Sequence, residues 1–216
     1  MNSKSMVISF SGVDGAGKTT VLRLFSKKLS DRGYKVVELR CRPSILPILS
    51  SFIYGKRAAE HKASEALPRQ GGNKSRLSSW FRFTYYLADY ILGQFYIYAR
   101  YTMCGYTIVY DRFYFDYIVD PKRSNLVLSS KAAKFFIKFI KQPDINVFLY
   151  APASVILSRK QELSESDILM LTQGYKDLFK LLDERYSHKY LCLENIELDS
   201  TIKVIENLFF KIKFRD

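Results

Sequence analysis

"SFSGVDGAGKTT", residues 9–20, places three glycines, a lysine and two threonines in the turn that follows a short apolar run. The segment from Gly12 to Thr19 matches G-x-x-x-x-G-K-[ST] in full. A β-rich run, "MVISFSG", leads into it, and a stretch with helical spacing follows. Each residue type has a physical reason to be there. Gly12, Gly15 and Gly17 let backbone N–H groups turn inward around an oxyanion. A helix opening at Lys18 adds its positive dipole end. Lys18 is expected to reach the β- and γ-phosphates of ATP. Thr19 is expected to bind Mg²⁺ through its hydroxyl, with Thr20 beside it in the nucleotide-binding set. A chance match in a glycine-rich turn would lack this strand-to-helix setting.

Outward from the loop, strand and helix patterns alternate. Val21, Leu22, Leu24, Phe25 and Leu29 give a helix from Lys18 to about Ser30 its apolar face, and Gly33 suits its C-cap. "YKVVELRC" reads as a second strand. A long aromatic helix is expected from about Leu77 to Met103, ending near Gly105. "YTIVYDR" is a third strand, "SSKAAKFFIKFI" a helix and "INVFLYA" a fourth strand. Helices are expected over 153–160 and 164–186, broken at "QEL". "KYLCLEN" is a fifth strand, and "TIKVIENLFFKIKF" a closing amphipathic helix. Such alternation implies an α/β fold with a mainly parallel five-stranded sheet and helices on both faces. Ligands of such sheets sit at the carboxyl ends of the strands. That rule puts Gly12–Thr19 and Asp111–Arg112 at one edge, although about ninety positions separate them.

The 216 residues suit one domain with a full core. Lys and Arg number 34 against 21 Asp and Glu, a formal net charge of +13 that favours an anionic partner. Cys41, Cys104 and Cys192 lie far apart without CxxC spacing, which argues against a zinc site or a disulfide framework and fits a reducing cytoplasm. The apolar stretch at the N-terminus is too short for a signal peptide. The longest apolar window, "FTYYLADYILGQFYIYARYTM", is interrupted by Asp89, Gln94 and Arg100, so no transmembrane segment is expected. Residues 55–76 are polar, with Pro68 and a Gly71–Gly72 pair, and read as a mobile loop.

Asp111 ends an apolar strand, where a carboxylate can hold Mg²⁺-bound water beside the phosphate loop. It also suits an ordinary helix cap. As the next residue, Arg112 is expected to leave the strand on the opposite side, toward an acceptor. "ISFSGVDGAGKTT", then "VYDRF", "PDINVFLYAPASVILSRK" and "QGYKDL", resembles the thymidylate kinase family in order and spacing across nearly the whole chain. The resemblance implies a three-layer P-loop kinase fold. It implies that Asp14 faces the acceptor and touches a sugar hydroxyl, that Asp111 works on Mg²⁺ and that Arg112 holds the acceptor phosphate. Some family members carry an arginine inside the loop, where this sequence has Gly15 and Ala16. Catalytic positive charge would then come from Arg159 and Lys160, in a short lid near 158–166 that neutralises the transferring group and excludes water. A solvated helix end is the other reading of that pair.

The sequence also departs from the family. Members that use dTMP typically have an Ala-Asp-Arg run in the long helix, whose arginine reads the thymine edge; here the run is Ala88-Asp89-Tyr90. Where they carry a Ser and an Ala-Tyr-Gln run after Asp-Arg, this chain has Asp116 and Asp120. A site missing its base-reading side chain loses much of its selectivity. Asp116 and Asp120 would share one face if helical, either binding sugar hydroxyls or an amine, or pairing with Lys122 and Arg123 on a solvent face. Of the aromatics at 85, 86, 90, 95, 96, 98 and 101, most read as core or a dimer face, which keeps a homodimer open. Tyr86 and Tyr90 are candidates to touch the acceptor. The expected activity is ATP-dependent phosphoryl transfer to a small-molecule acceptor, a nucleoside monophosphate or related phosphorylated compound. dTMP itself, a sugar or other hydroxyl compound, and a non-catalytic ATP switch binding nucleic acid or membrane stand as alternatives. Nucleic acid is not the expected partner.

Overall fold

Each of the five apolar runs becomes a strand of one sheet. The computed structural model describes residues 5–43, 45, 46, 75–186 and 188–214. Its strands are β1 (Val7–Gly12), β2 (Val36–Arg40), β3 (Thr107–Asp111), β4 (Ile145–Tyr150) and β5 (Lys189–Glu194). They lie in the order β2-β3-β1-β4-β5, and every pairing is parallel. Phe10 stands opposite Asp111 and Gly12 opposite Leu149, so the ends of β1, β3 and β4 meet at one edge. The helices are α1 (Lys18–Asp31), α2 (Arg76–Ile97), α3 (Phe115–Val119), α4 (Ser130–Phe136), α5 (Ala153–Arg159), α6 (Glu165–Arg185) and α7 (Leu198–Lys213).

The chain divides into two compact units. The first, residues 1–41, 99–113 and 142–216, contains the whole sheet. On one face Ile8, Phe10, Val109 and Val147 pack with Val21, Phe25 and Leu29 of α1 and with Ile202, Ile205 and Phe209 of α7, all almost fully buried. Phe25 meets Phe10 and Phe209 edge-on, at 5.9 and 5.7 Å between ring centres. On the other face Phe148 stacks on Tyr175 of α6 at 4.7 Å, and Phe179 packs edge-on against Tyr190 of β5. Each such side chain stabilises the fold by roughly 1.5–3 kcal/mol on burial. The expected doubly covered α/β sheet is therefore the fold. α1 ends as expected at Gly33, with φ 84°: Gly33 N–H bonds Ser30 O and Tyr34 N–H bonds Leu29 O, a Schellman pattern.

The second unit, residues 42–98 and 114–141, is built on α2. Buried Phe83, Tyr90, Tyr114 and Tyr117 interlock there, with Tyr90 edge-on to Tyr114 at 5.5 Å and to Tyr117 at 6.1 Å. The long aromatic helix differs from expectation. Its α-helical part stops at Ile97, and Tyr98–Thr102 continue as a π-helix before the turn at Gly105. Phe95, Tyr96 and Tyr98 are exposed, so of the expected alternatives, core or a dimer face, they are not core, because the helix carries more apolar residues than one buried face can hold. Of the loop expected over 55–76, only Ser75 and Arg76 fall within the described residues; Ser75 caps α2 by accepting from Ser78 N–H. Among the described residues no helix is long and apolar enough to cross a membrane.

Candidate functional site

The glycine-rich loop sits between β1 and α1 with its glycines in positive-φ conformations that strain other residues. Gly12, Gly15 and Gly17 have φ of 150°, 89° and 82°. Space is as restrictive as conformation: a Cβ on Gly12 would lie 2.2 Å from Leu149 O, and one on Gly17 would lie 2.5 Å from Asn195 Nδ2. Gly17 is also the N-cap of α1. No side chain caps this helix, and its first turn holds no acidic residue. The leading N–H groups of a helix have no partners within it. An uncapped start with no acid of its own is a strong anion-binding end.

Lys18 is buried. Its Nζ donates to Val13 O at 2.8 Å and lies 4.0 Å from Asp14 Oδ1, so the ammonium is held against the loop. Thr19 and Thr20 are exposed at the start of α1. Asp111 ends β3, opposite Phe10. Its main-chain carbonyl accepts from Cys41 N–H, while among the described residues its carboxylate makes no hydrogen bond or ion pair. No group of three His, Cys, Asp or Glu side chains among the described residues could hold a metal. Protein carboxylates alone therefore form no cation cage there. A Thr hydroxyl and a single strand-end carboxylate instead suit Mg²⁺ that takes its remaining ligands from phosphate and water.

Arg112 departs from the expected strand alternation. Its φ is 73°, a left-handed conformation that costs a non-glycine residue about 1–2 kcal/mol. Its N–H still bonds Phe10 O, but the opposite-side rule applies only to extended backbone. The guanidinium instead reaches Asp14 Oδ1 at 2.6 Å and Gly12 O at 3.2 Å. Both side chains of this pair are close to nine-tenths buried. Arg159 ends α5, and its Nη1 donates to Gly15 O at 3.4 Å, which brings the expected lid cation to the loop. Lys160 pairs instead with Glu162 at 3.0 Å.

One residue at the loop had no signal in the sequence. Asn195 follows β5, its N–H bonding Tyr150 O at 2.7 Å, and its Nδ2 donates to Ala16 O at 2.9 Å across 179 positions.

In the second unit Arg42, also unmarked in the sequence, pairs with Asp89 Oδ2 at 2.8 Å, and Leu46 N–H bonds the other carboxylate oxygen. The Arg42 guanidinium carbon lies 5.2 Å from the ring centre of Tyr86, which stacks on Tyr117. Tyr90 is 1% exposed. Asp116 lies in α3, but Asp120 ends that helix with φ −131°, so the two do not share a helical face. Both are buried, which overturns the solvent-face reading, although Arg123 Nε does lie 4.0 Å from Asp116. Burial raises the Tyr114 phenol well above its ordinary pKa, and its hydroxyl donates to Ala133 O at 2.9 Å.

No protein-family model matches the chain, and no curated protein sequence matches it. Among solved structures, the crystal structure of thymidylate kinase from Ehrlichia chaffeensis is similar over 95% of this chain and 98% of its own, with a TM-score of 0.59 and 18% sequence identity. At that identity the likeness is one of fold, and the fold of this chain is thymidylate-kinase-like.

Proposed function

We propose that the chain is a Mg²⁺- and ATP-dependent phosphotransferase that moves the γ-phosphoryl group of ATP to a small phosphorylated acceptor, a nucleoside monophosphate or a related compound. The observation that carries this reading is one edge of the sheet. There an uncapped glycine loop with Lys18, a carboxylate at Asp111 and two arginines, Arg112 and Arg159, come together. Backbone N–H groups from Gly15 to Thr20, together with Lys18, would hold the nucleotide phosphates. Thr19 and Asp111 would hold Mg²⁺, which when bound neutralises phosphoryl charge. Lys18 and Arg159 would offset charge on the transferring group, and Arg112, already forked toward the loop, would receive the acceptor phosphate. Asp14 holds that fork in place and is our candidate for an acceptor hydroxyl. Residues 158–166 are the proposed lid. The cytoplasm, which supplies ATP and keeps thiols reduced, is the proposed compartment.

The solved relative is a thymidylate kinase, which makes dTMP the first acceptor to test. Position 90 of this chain argues against it. Tyr90 is packed among Tyr114 and Tyr117, and the neighbouring Asp89 is engaged by Arg42. Tyr86, Tyr90 and Asp116 stay as the acceptor-side residues of the proposal. ADP release measured with nucleosides, nucleoside monophosphates, sugars and sugar phosphates tests it. We expect turnover with a phosphorylated acceptor and little with dTMP. ADP release that no acceptor raises above the acceptor-free rate would refute the reading.

A further inference from the structure

Asn195 joins Arg112 and Arg159 as a side chain from outside the loop that donates to the loop's own backbone, and unlike them it is uncharged. It is 5% exposed and fixed at its main chain by the bond to Tyr150 O, which extends the β4–β5 ladder by one residue. Its amide donates to Ala16 O. The carbonyl of Ala16 and the N–H of Gly17 belong to one peptide unit. No peptide bond in the described residues is cis, and in a trans unit those two groups point in opposite directions. A carbonyl turned to Asn195 therefore turns the Gly17 N–H away from it. Gly17 is the N-cap of α1, and its N–H adjoins those of Lys18 and Thr19.

We infer that Asn195 is a positioning residue for phosphate binding: it sets the Ala16–Gly17 peptide so that the Gly17 N–H serves as an oxyanion donor. The bond also polarises that peptide and strengthens the N–H as a donor. The same contact gives glycine at position 17 a second cause besides its φ of 82°. The Asn195 amide occupies the place of a Cβ. Only an acceptor at residue 16 and a donor at 195 satisfy the pair, which assigns the nitrogen of the amide to the loop.

The inference rests on the phosphate-loop part of the proposed function, and its test uses inorganic tripolyphosphate, which needs neither acceptor nor turnover. Binding is measured by calorimetry for the unaltered chain, Asn195→Asp and Asn195→Ala. Amide spectra of ¹⁵N-labelled protein follow Gly17, and melting temperature reports folding. Asn195→Asp keeps the shape and removes the donor, while Asn195→Ala avoids a buried charge. We expect either folded variant to bind tripolyphosphate about tenfold or more weakly, and the ligand-induced shift of the Gly17 amide to be lost. A role in folding alone would lower the melting temperature and leave the Kd within twofold of the unaltered chain, and that result overturns the inference. Tripolyphosphate binding that depends on Asn195, without turnover of any acceptor, would sink the kinase reading and keep this one. No tripolyphosphate binding by the unaltered chain would overturn both.

Discussion

Deleting Arg112 is expected to harm the fold much less once Asp14 has been neutralised. The pair joins Arg112 Nη2 to Asp14 Oδ1 at 2.6 Å, with side chains 9% and 11% exposed. Removing one member of a buried pair costs about 3–5 kcal/mol. Lys18 Nζ, 4.0 Å from the same oxygen, still faces the carboxylate in Arg112→Gly, which argues for the lower end, about 3 kcal/mol. Glycine adopts a φ of 73° without the Cβ penalty and recovers about 1 kcal/mol. The net loss for Arg112→Gly is then about 2 kcal/mol. Asp14→Asn keeps the shape and weakens a charged hydrogen bond, a loss of about 1.5–2 kcal/mol. Independent sites would sum to roughly 4 kcal/mol in the double variant; we expect about 2, a coupling near 2 kcal/mol. Urea unfolding followed by circular dichroism at neutral pH measures all four proteins. A double variant whose loss equals the sum within about 0.5 kcal/mol would refute the claim that the pair holds the strained arginine in place.

Three further outcomes are expected. Lys18→Ala should cut phosphoryl transfer by about 10²-fold or more with an unchanged far-UV spectrum; near-normal turnover would remove Lys18 from the chemistry. Asp111→Asn should slow acceptor-free ATP hydrolysis and raise the Mg²⁺ concentration needed for half-maximal rate, whereas an unchanged Mg²⁺ dependence would leave Asp111 as an ordinary strand end. The Tyr114 phenol is held neutral by burial above the range where an unfolded tyrosine ionises, so its contribution is whole below pH 10 and is lost as pH rises further. The stability difference between the unaltered chain and Tyr114→Phe should thus shrink by about 1 kcal/mol from pH 10 to 11. Equal differences at both pH values in urea titrations would contradict the burial argument.

By itself the sequence determined what depends on neighbours along the chain. The period of the apolar residues marked all five strands and the helices other than α3, which the sequence left conditional. The Gly-rich spacing marked the loop, because three glycines, a lysine and a threonine within eight residues have few other uses. The strand-end position of Asp111 was legible for the same local reason. Tertiary structure decided what depends on residues far apart in the chain. The left-handed turn at Arg112 sends its guanidinium to Asp14, a contact that strand alternation does not forecast. Asp116 and Asp120 resemble solvent-face charges in sequence, yet they are buried, since charge alone does not report which side of a short helix is covered. Arg42 finds Asp89 across 47 positions, and Asn195 finds Ala16 across 179. Neither pair has a spacing that a linear pattern can carry. Parallel strands are joined by long crossovers, so the partners at their ends are set by strand order in the sheet, and that order is fixed only when the core packs.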